Sequence, residues 1–205
     1  MNIENEVIVI ENPEELNSLV NKKRGLPSDY IPDDLVIVEV PMDIERLESR
    51  MLRKVASDAL TELFKEAEKS GNNLYAASGY RSYITQVNLF KSYAEKHGEA
   101  EANRFSAKAG HSEHQTGLTM DVTSENVDFD LVEEFGETPE GRWLGENSHK
   151  FGFIIRYPKG TEEITGYLYE PWHLRFLGIE LATKVYESNL TYDEYWEKYF
   201  HLIKF

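Results

Sequence analysis

Residues 110–123 read GHSEHQTGLTMDVT, and what this stretch becomes decides the fold. Its second half alternates apolar Leu118, Met120 and Val122 with polar Thr119, Asp121 and Thr123, the two-residue period of a half-buried strand. Its first half is rich in Ser, Gly and His and reads as a loop. Upstream, 74–78 is a short strand ending at Gly79. Ser82 caps a helix to about Lys96, with Tyr83, Val87, Phe90 and Ala94 on one face and Gly98 as terminator. Further upstream, Pro41 and Asp43 start a helix on which Ile44, Leu47, Met51 and Val55 recur. A second row (Leu52, Ala56, Ala59 or Leu60, Leu63, Ala67) widens that stripe, and Gly71 ends it. Downstream, Thr138-Pro139 opens a helix to about Phe151, closed by Gly152. Two more strands follow at 153–157 and 167–176, then a helix at 179–188. A last helix starts at Thr191, where Glu194 completes a Thr-x-x-Glu capping box. Helices at both ends of a few central strands make an α+β domain at 41–205. Residues 1–40 form an N-terminal arm punctuated by Pro13, Pro27 and Pro32, with strand candidates at 7–10 and 35–40.

The chain has 205 residues, 40% apolar and 12% aromatic, which suits one domain with a real core and excludes a disordered composition. Its 22 basic and 37 acidic residues give a net charge of −15, so a nucleic acid or an anionic bilayer would repel it. No cysteine is present, so any metal is held by nitrogen and oxygen. The first residues lack a basic region followed by an apolar run, and no later stretch approaches a membrane span. The expectation is a soluble monomer with no direct membrane insertion, cytoplasmic or else exported with its signal segment missing from this chain.

Six histidines remain to be sorted. His97, His149 and His201 lie on helical stretches among Lys and Glu and read as ordinary surface or half-buried residues. GHSEH fails as a zincin motif, since HExxH needs its histidines four apart with Glu directly after the first. A different set survives. His114, Asp121 and His173 are three N/O donors that leave one position open, the pattern of a catalytic zinc site. Pro171 keeps 170–173 off a helix, and Glu170 is then a spare carboxylate beside the metal, suited to act as a base. Two histidines and two acids spread from 114 to 173 also arise by chance, so spacing alone leaves the site open.

Four blocks, however, occur in a known order: SGYRS (78–82), GHSEHQTGLTMD (110–121), GFIIRYPKG (152–160) and ITGYLYEPWHLRFLG (164–178). Over residues 40–180 the chain resembles the VanY-type D-alanyl-D-alanine carboxypeptidases, in which S-x-H-x(2)-G-x(2)-x-D and E-P-W-H carry the site. The resemblance implies a small antiparallel sheet bearing one zinc per chain, with His114, Asp121 and His173 as ligands and Glu170 as catalytic base. It makes Arg81 the arginine facing the scissile carbonyl or the terminal carboxylate, a role a planar guanidinium fills with two charge-assisted hydrogen bonds. Ser112, Gln86 and Tyr157 are further candidates for substrate contact, with packing or loop capping as the alternative for each. Trp172 and Tyr169 alternate with the site residues and read as core aromatics, and Gly117 as conformational.

The implied reaction is removal of the C-terminal D-alanine from a peptidoglycan stem peptide, a tetrapeptide for L,D- or a pentapeptide for D,D-cleavage. Between these two the sequence is silent. The implied location is the cell envelope. The alternatives are a cytosolic D,D-dipeptidase and a zinc-stabilised cell-wall or protein-binding module without turnover, since the same fold resembles the signalling domain of Hedgehog proteins.

Overall fold

The structure is a computed structural model that describes residues 7–42 and 46–200. In chain order it contains β1 (Ile8–Val9), β2 (Arg24–Gly25), β3 (Leu35–Ile37), β4 (Met51–Arg53), α1 (Lys54–Lys69), β5 (Tyr75–Ser78), α2 (Tyr83–His97) and α3 (Glu99–Phe105). It continues with β6 (Thr119–Thr123), α4 (Pro139–Asn147), β7 (Phe153–Tyr157), α5 (Glu162–Thr165), β8 (Glu170–Phe176), α6 (Ile179–Ser188) and α7 (Tyr192–Tyr199). The main sheet has the order β5-β6-β8-β7, antiparallel throughout, and two small two-stranded pairs (β1-β2 and β3-β4) flank it. No helix among the described residues is long and apolar enough to cross a membrane.

The two faces of this sheet are unlike, and the site follows from that. Strand side chains alternate, so β6 sends Leu118, Met120 and Val122 to one side, and β8 and β7 add Leu174, Phe176 and Phe153. Helix α1 packs on that side with Ala56, Leu60, Leu63, Phe64 and Ala67, an apolar stripe at helical spacing. The opposite side carries Asp121, His173, Arg175 and Arg156, all buried. It is roofed by the loop before β6, by α7 and by the N-terminal segment, which contributes buried Leu19, Val20 and Leu26 and accepts hydrogen bonds from Arg175 at the carbonyls of Leu16 and Ser18. β6 is therefore buried along its whole length, and the half-exposed strand expected from its alternation is corrected. Its polar residues face a charged interior instead of water.

The first helix also begins later than its periodicity predicts. Residues 48–50 form a single 3₁₀ turn, 51–53 are strand β4, and α1 starts at Lys54. Asp43 and Ile44 lie outside the described residues. The expected first row fails because Leu47 and Val55 are 60% and 40% exposed. Backbone pairing of 51–53 with 35–37, and of Arg53 N–H with the Gly117 carbonyl, takes precedence over the helical spacing. The second row is the one that packs. Similarly, α2 is capped by Ser82 and stopped at Gly98 as expected, yet it buries Gln86, and Val87 is exposed. Both terminal helices match their signals, including the capping box at Thr191.

Leu60 is fully buried in the stripe, whereas Leu47 belongs to the row that does not pack. Denaturant unfolding should show Leu60→Ala losing about 2–5 kcal/mol and Leu47→Ala less than about 0.5 kcal/mol. Equal losses would mean that α1 begins upstream of Lys54.

Candidate metal centre

Two strand registers assemble the site. In the β6–β8 ladder Asp121 pairs directly with His173, which sets the two side chains next to each other on the charged face. Between β7 and β8 the register shifts, with Ile155 opposite Leu174 but Tyr157 opposite Glu170. Four positions on β8 thus match two on β7. This bulge lets Glu170 and His173, three apart, face one cavity, where a regular strand would send them to opposite sides. The 3₁₀ turn Glu113–Thr116 then delivers His114, and Gly117 ends that turn in the left-handed conformation at φ 66°. A side chain there would also press on Leu35, so glycine is required.

The ligand atoms offered by His114, Asp121 and His173 lie within 4.8 Å of one another, and all three residues are buried. His114 Nδ1 lies 2.7 Å from the Gly79 carbonyl. A carbonyl only accepts, so Nδ1 carries the proton and Nε2 keeps its lone pair, 3.4 Å from Asp121 Oδ2. Gly79 is required here too, because a Cβ would fall 2.5 Å from the Met51 carbonyl oxygen. His173 Nδ1 lies 3.2 Å from Asp121 Oδ1 and 3.3 Å from Glu170 Oε2. Asp121 Oδ1 is buried without a hydrogen-bond partner among the described residues.

The electrostatics favour positive charge at this point. Burial and then the Arg81 guanidinium push His114 down to about 3, so it is neutral and free to donate. Burial would also lower His173, but the surrounding carboxylates of Asp121, Glu113 and Glu170 outweigh it and hold the imidazole well above its ordinary range. Burial would raise Asp121, and the neighbouring His114 and His173 keep it low instead. Carboxylates converging on one buried imidazole demand a positive charge between them. A divalent cation on two nitrogens and one carboxylate oxygen meets that demand, and the donor set suits zinc with an open position.

The other expected residues divide. Glu170 is buried in the wall of the same cavity, and burial raises its proton affinity while His173 opposes the rise. Arg81 is also in that wall; it donates to Gln86 Oε1 and to Ser78 Oγ, both at 3.0 Å, and makes no ion pair among the described residues. Ser112 and Tyr157 line the cavity, the Tyr157 ring 4.9 Å from that of His173. Gln86 lies behind the wall, fixing Arg81 while its amide donates to the Ala107 carbonyl. Trp172 is half-buried: it packs against the main core, as expected, and also lines the cavity. Tyr169 does not line it and packs on Gly136. His111 is a packing residue, with Nδ1 2.7 Å from the Asn21 carbonyl. His97 packs edge-on against Phe105, His149 stacks on Tyr186, and His201 lies outside the described residues.

Sequence reasoning missed Glu113, Arg156, Arg175 and Tyr167. Tyr167 lines the cavity, and the other three form the buried charge cluster beneath the site. The available signal was charge inside strand blocks: Arg175 lies two residues after His173 and must share its face.

Known proteins resemble the chain over nearly its whole length. The family described as VanY, D-alanyl-D-alanine carboxypeptidase, matches residues 49–179. A Bacillus subtilis protein named "Putative carboxypeptidase YodJ" is 48% identical over 190 residues, 92% of this chain and 70% of that protein. The solved LdcB LD-carboxypeptidase, from work on peptidoglycan recognition, superposes with a TM-score of 0.90 at 47% identity, covering 94% of this chain and 90% of its own. A point mutant of the D,D-pentapeptidase VanY, solved in complex with Zn(II), gives a TM-score of 0.70 at 34% identity, with 87% and 97% covered.

Zinc should stabilise the folded chain by mass action, by about 2.7 kcal/mol at a free concentration a hundredfold above its Kd. Thermal unfolding with a chelator and with added zinc should show that shift in the parent and none in His114→Ala. A shift that survives in the variant would place the metal elsewhere.

Proposed function

The chain belongs to the VanY family of D-alanyl-D-alanine carboxypeptidases, and from that premise we propose that it is a zinc carboxypeptidase removing the C-terminal D-alanine of peptidoglycan stem peptides. The observation that carries this reading is one cavity of about 350 Å³ holding the three buried donors, a carboxylate of raised proton affinity and a guanidinium without an ion pair among the described residues. In this reading His114 Nε2, a carboxylate oxygen of Asp121 and His173 Nδ1 hold the zinc. When bound, the ion supplies a Lewis acid for the scissile carbonyl and a water acidic enough to attack near neutral pH.

The protein's own groups do the rest. Glu170 takes a proton from the attacking water on a carboxylate oxygen and returns it to the amine of the departing D-alanine. Burial tunes it for that task, because a carboxylate with raised proton affinity accepts and releases protons closer to neutral pH. Arg81 has five N–H donors, and Gln86 and Ser78 hold it by two of its nitrogens. Its remaining capacity faces the cavity, where it binds the terminal carboxylate bidentately and admits only a chain end. Burial lowers its affinity for its own proton, but a guanidinium stays charged at any physiological pH. Ser112, Tyr157 and Trp172 shape the walls around the last two residues of the peptide. Cleavage of such a substrate is consistent with work in the cell envelope.

Between the two cleavage types, the closer likeness to the LdcB LD-carboxypeptidase than to the D,D-pentapeptidase, 47% against 34% identity, supports L,D-cleavage of the tetrapeptide. Mass spectrometry of stem tetrapeptide and pentapeptide digests tests this. The expected result is loss of one alanine from the tetrapeptide, abolished by a chelator and restored by zinc. Loss from the pentapeptide alone would move the reading to D,D-cleavage, and zinc uptake with neither peptide cut would leave a binding module. Glu170→Ala should keep its zinc and lose about 10²–10⁴-fold in turnover; full activity would remove Glu170 from its role.

A further inference from the structure

The reaction leaves one buried carboxylate of the site without a task. Glu113 is 1% exposed and immediately precedes His114. Its Oε1 accepts from Arg156 Nε and from Arg175 Nη1, each at 2.9 Å. Among the described residues its Oε2 has no hydrogen-bond partner, and neither has Nε2 of His173; these two buried atoms face each other 3.6 Å apart. Burying two polar groups unpaired is unfavourable, and a shift of roughly half an ångström closes them into a hydrogen bond.

We propose that Glu113 is the positioning residue of His173: its Oε2 accepts the Nε2–H and so fixes the tautomer whose Nδ1 lone pair points at Asp121 and Glu170. The inference rests on the zinc reading of the site. His114 supplies the precedent within this molecule, since its Nδ1–H is committed to the Gly79 carbonyl and its Nε2 is thereby left free. The two imidazoles present opposite ring nitrogens, and each is set by an acceptor on its far side. For His173 that acceptor is charged, which makes the imidazole a stronger donor than a neutral carbonyl would. The guanidiniums explain why the carboxylate stays put. Both are donors only, so they hold Oε1 and leave Oε2 aimed at the ring. They are anchored in turn: Arg156 Nη1 donates to Asp193 Oδ2 of α7 at 2.6 Å, and Arg175 Nη2 to the carbonyls of Leu16 and Ser18.

Glu113→Gln tests this, because it keeps the shape and replaces one oxygen by NH₂. If the amide oxygen stays on the guanidiniums, NH₂ meets Nε2–H, donor against donor; if the amide turns over, NH₂ meets the guanidiniums. Zinc affinity by chelator competition should weaken about 10–100-fold, with the fold intact by circular dichroism. Asp193→Asn, which loosens the same ladder away from His173, should lower the thermal midpoint with less than about a threefold change in zinc affinity. Parental affinity in Glu113→Gln, or equal losses in both variants, overturns the proposal. Should Glu113→Gln not fold, ¹⁵N-histidine NMR of the zinc-loaded parent decides. Nδ1 on the metal with Nε2 protonated at His173 is the expected pattern, and Nε2 on the metal overturns it. A parent that takes up no zinc overturns the site reading itself, a failure distinct from that of Glu113.

Discussion

The structure depends on a carboxylate clamped between two guanidiniums in its interior. Glu113, Arg156 and Arg175 have almost no exposed side-chain surface, and their ion pairs at 2.9 Å lie directly beneath the imidazole of His173. Burial alone would raise the proton affinity of Glu113; Arg156 and then Arg175 outweigh it and hold the carboxyl well below its usual range. Such a cluster is not an economical source of stability, since a well-packed apolar replacement often does as well, while removing one partner costs about 3–5 kcal/mol. What it supplies is position. It ties the loop before β6, the strands β7 and β8, the N-terminal segment and α7 to one charged centre, and the metal donors sit on top of that centre.

One sheet thus does two jobs with its two faces. The hydrocarbon face packed on α1 keeps the strands rigid. The charged face presents donors whose relative placement follows from backbone register, with Asp121 opposite His173 and the β8 bulge carrying Glu170 to the same side. Placement on strands suits a hydrolytic site, where small errors in the position of a base or an anion anchor reduce the rate steeply. The chain's net charge of −15 makes the cavity's exception clearer. Arg81 is a guanidinium without an ion pair among the described residues, and it lines the cavity that the proposal gives to the peptide's end.

Much of this was legible in the sequence. Capping residues such as Ser82 and Thr191, glycine stops, and strand alternation located most elements, because these are local effects. The quoted blocks named the donors, since a reactive centre needs particular residue types. What could not be read was non-local. The start of α1 is set by pairing between segments 35–37 and 51–53, which no periodicity reports. Val87 is exposed although the helical spacing puts it on the apolar face, and Gln86, a candidate for substrate contact, is buried behind Arg81 instead. Glu113 was hidden for a related reason: its partners lie 43 and 62 residues away, so only the folded chain shows that this acid is held in place from below.

The central claim is that the charged face of this sheet is built to hold one divalent metal on His114, Asp121 and His173. Anomalous diffraction at the zinc edge, from crystals of the protein grown with zinc, tests it most directly. The account predicts a single strong peak within bonding distance of His114 Nε2, His173 Nδ1 and one Asp121 oxygen, about 2.0–2.2 Å from each. A strongest peak away from these atoms, or bound to Nε2 of His173, would contradict it.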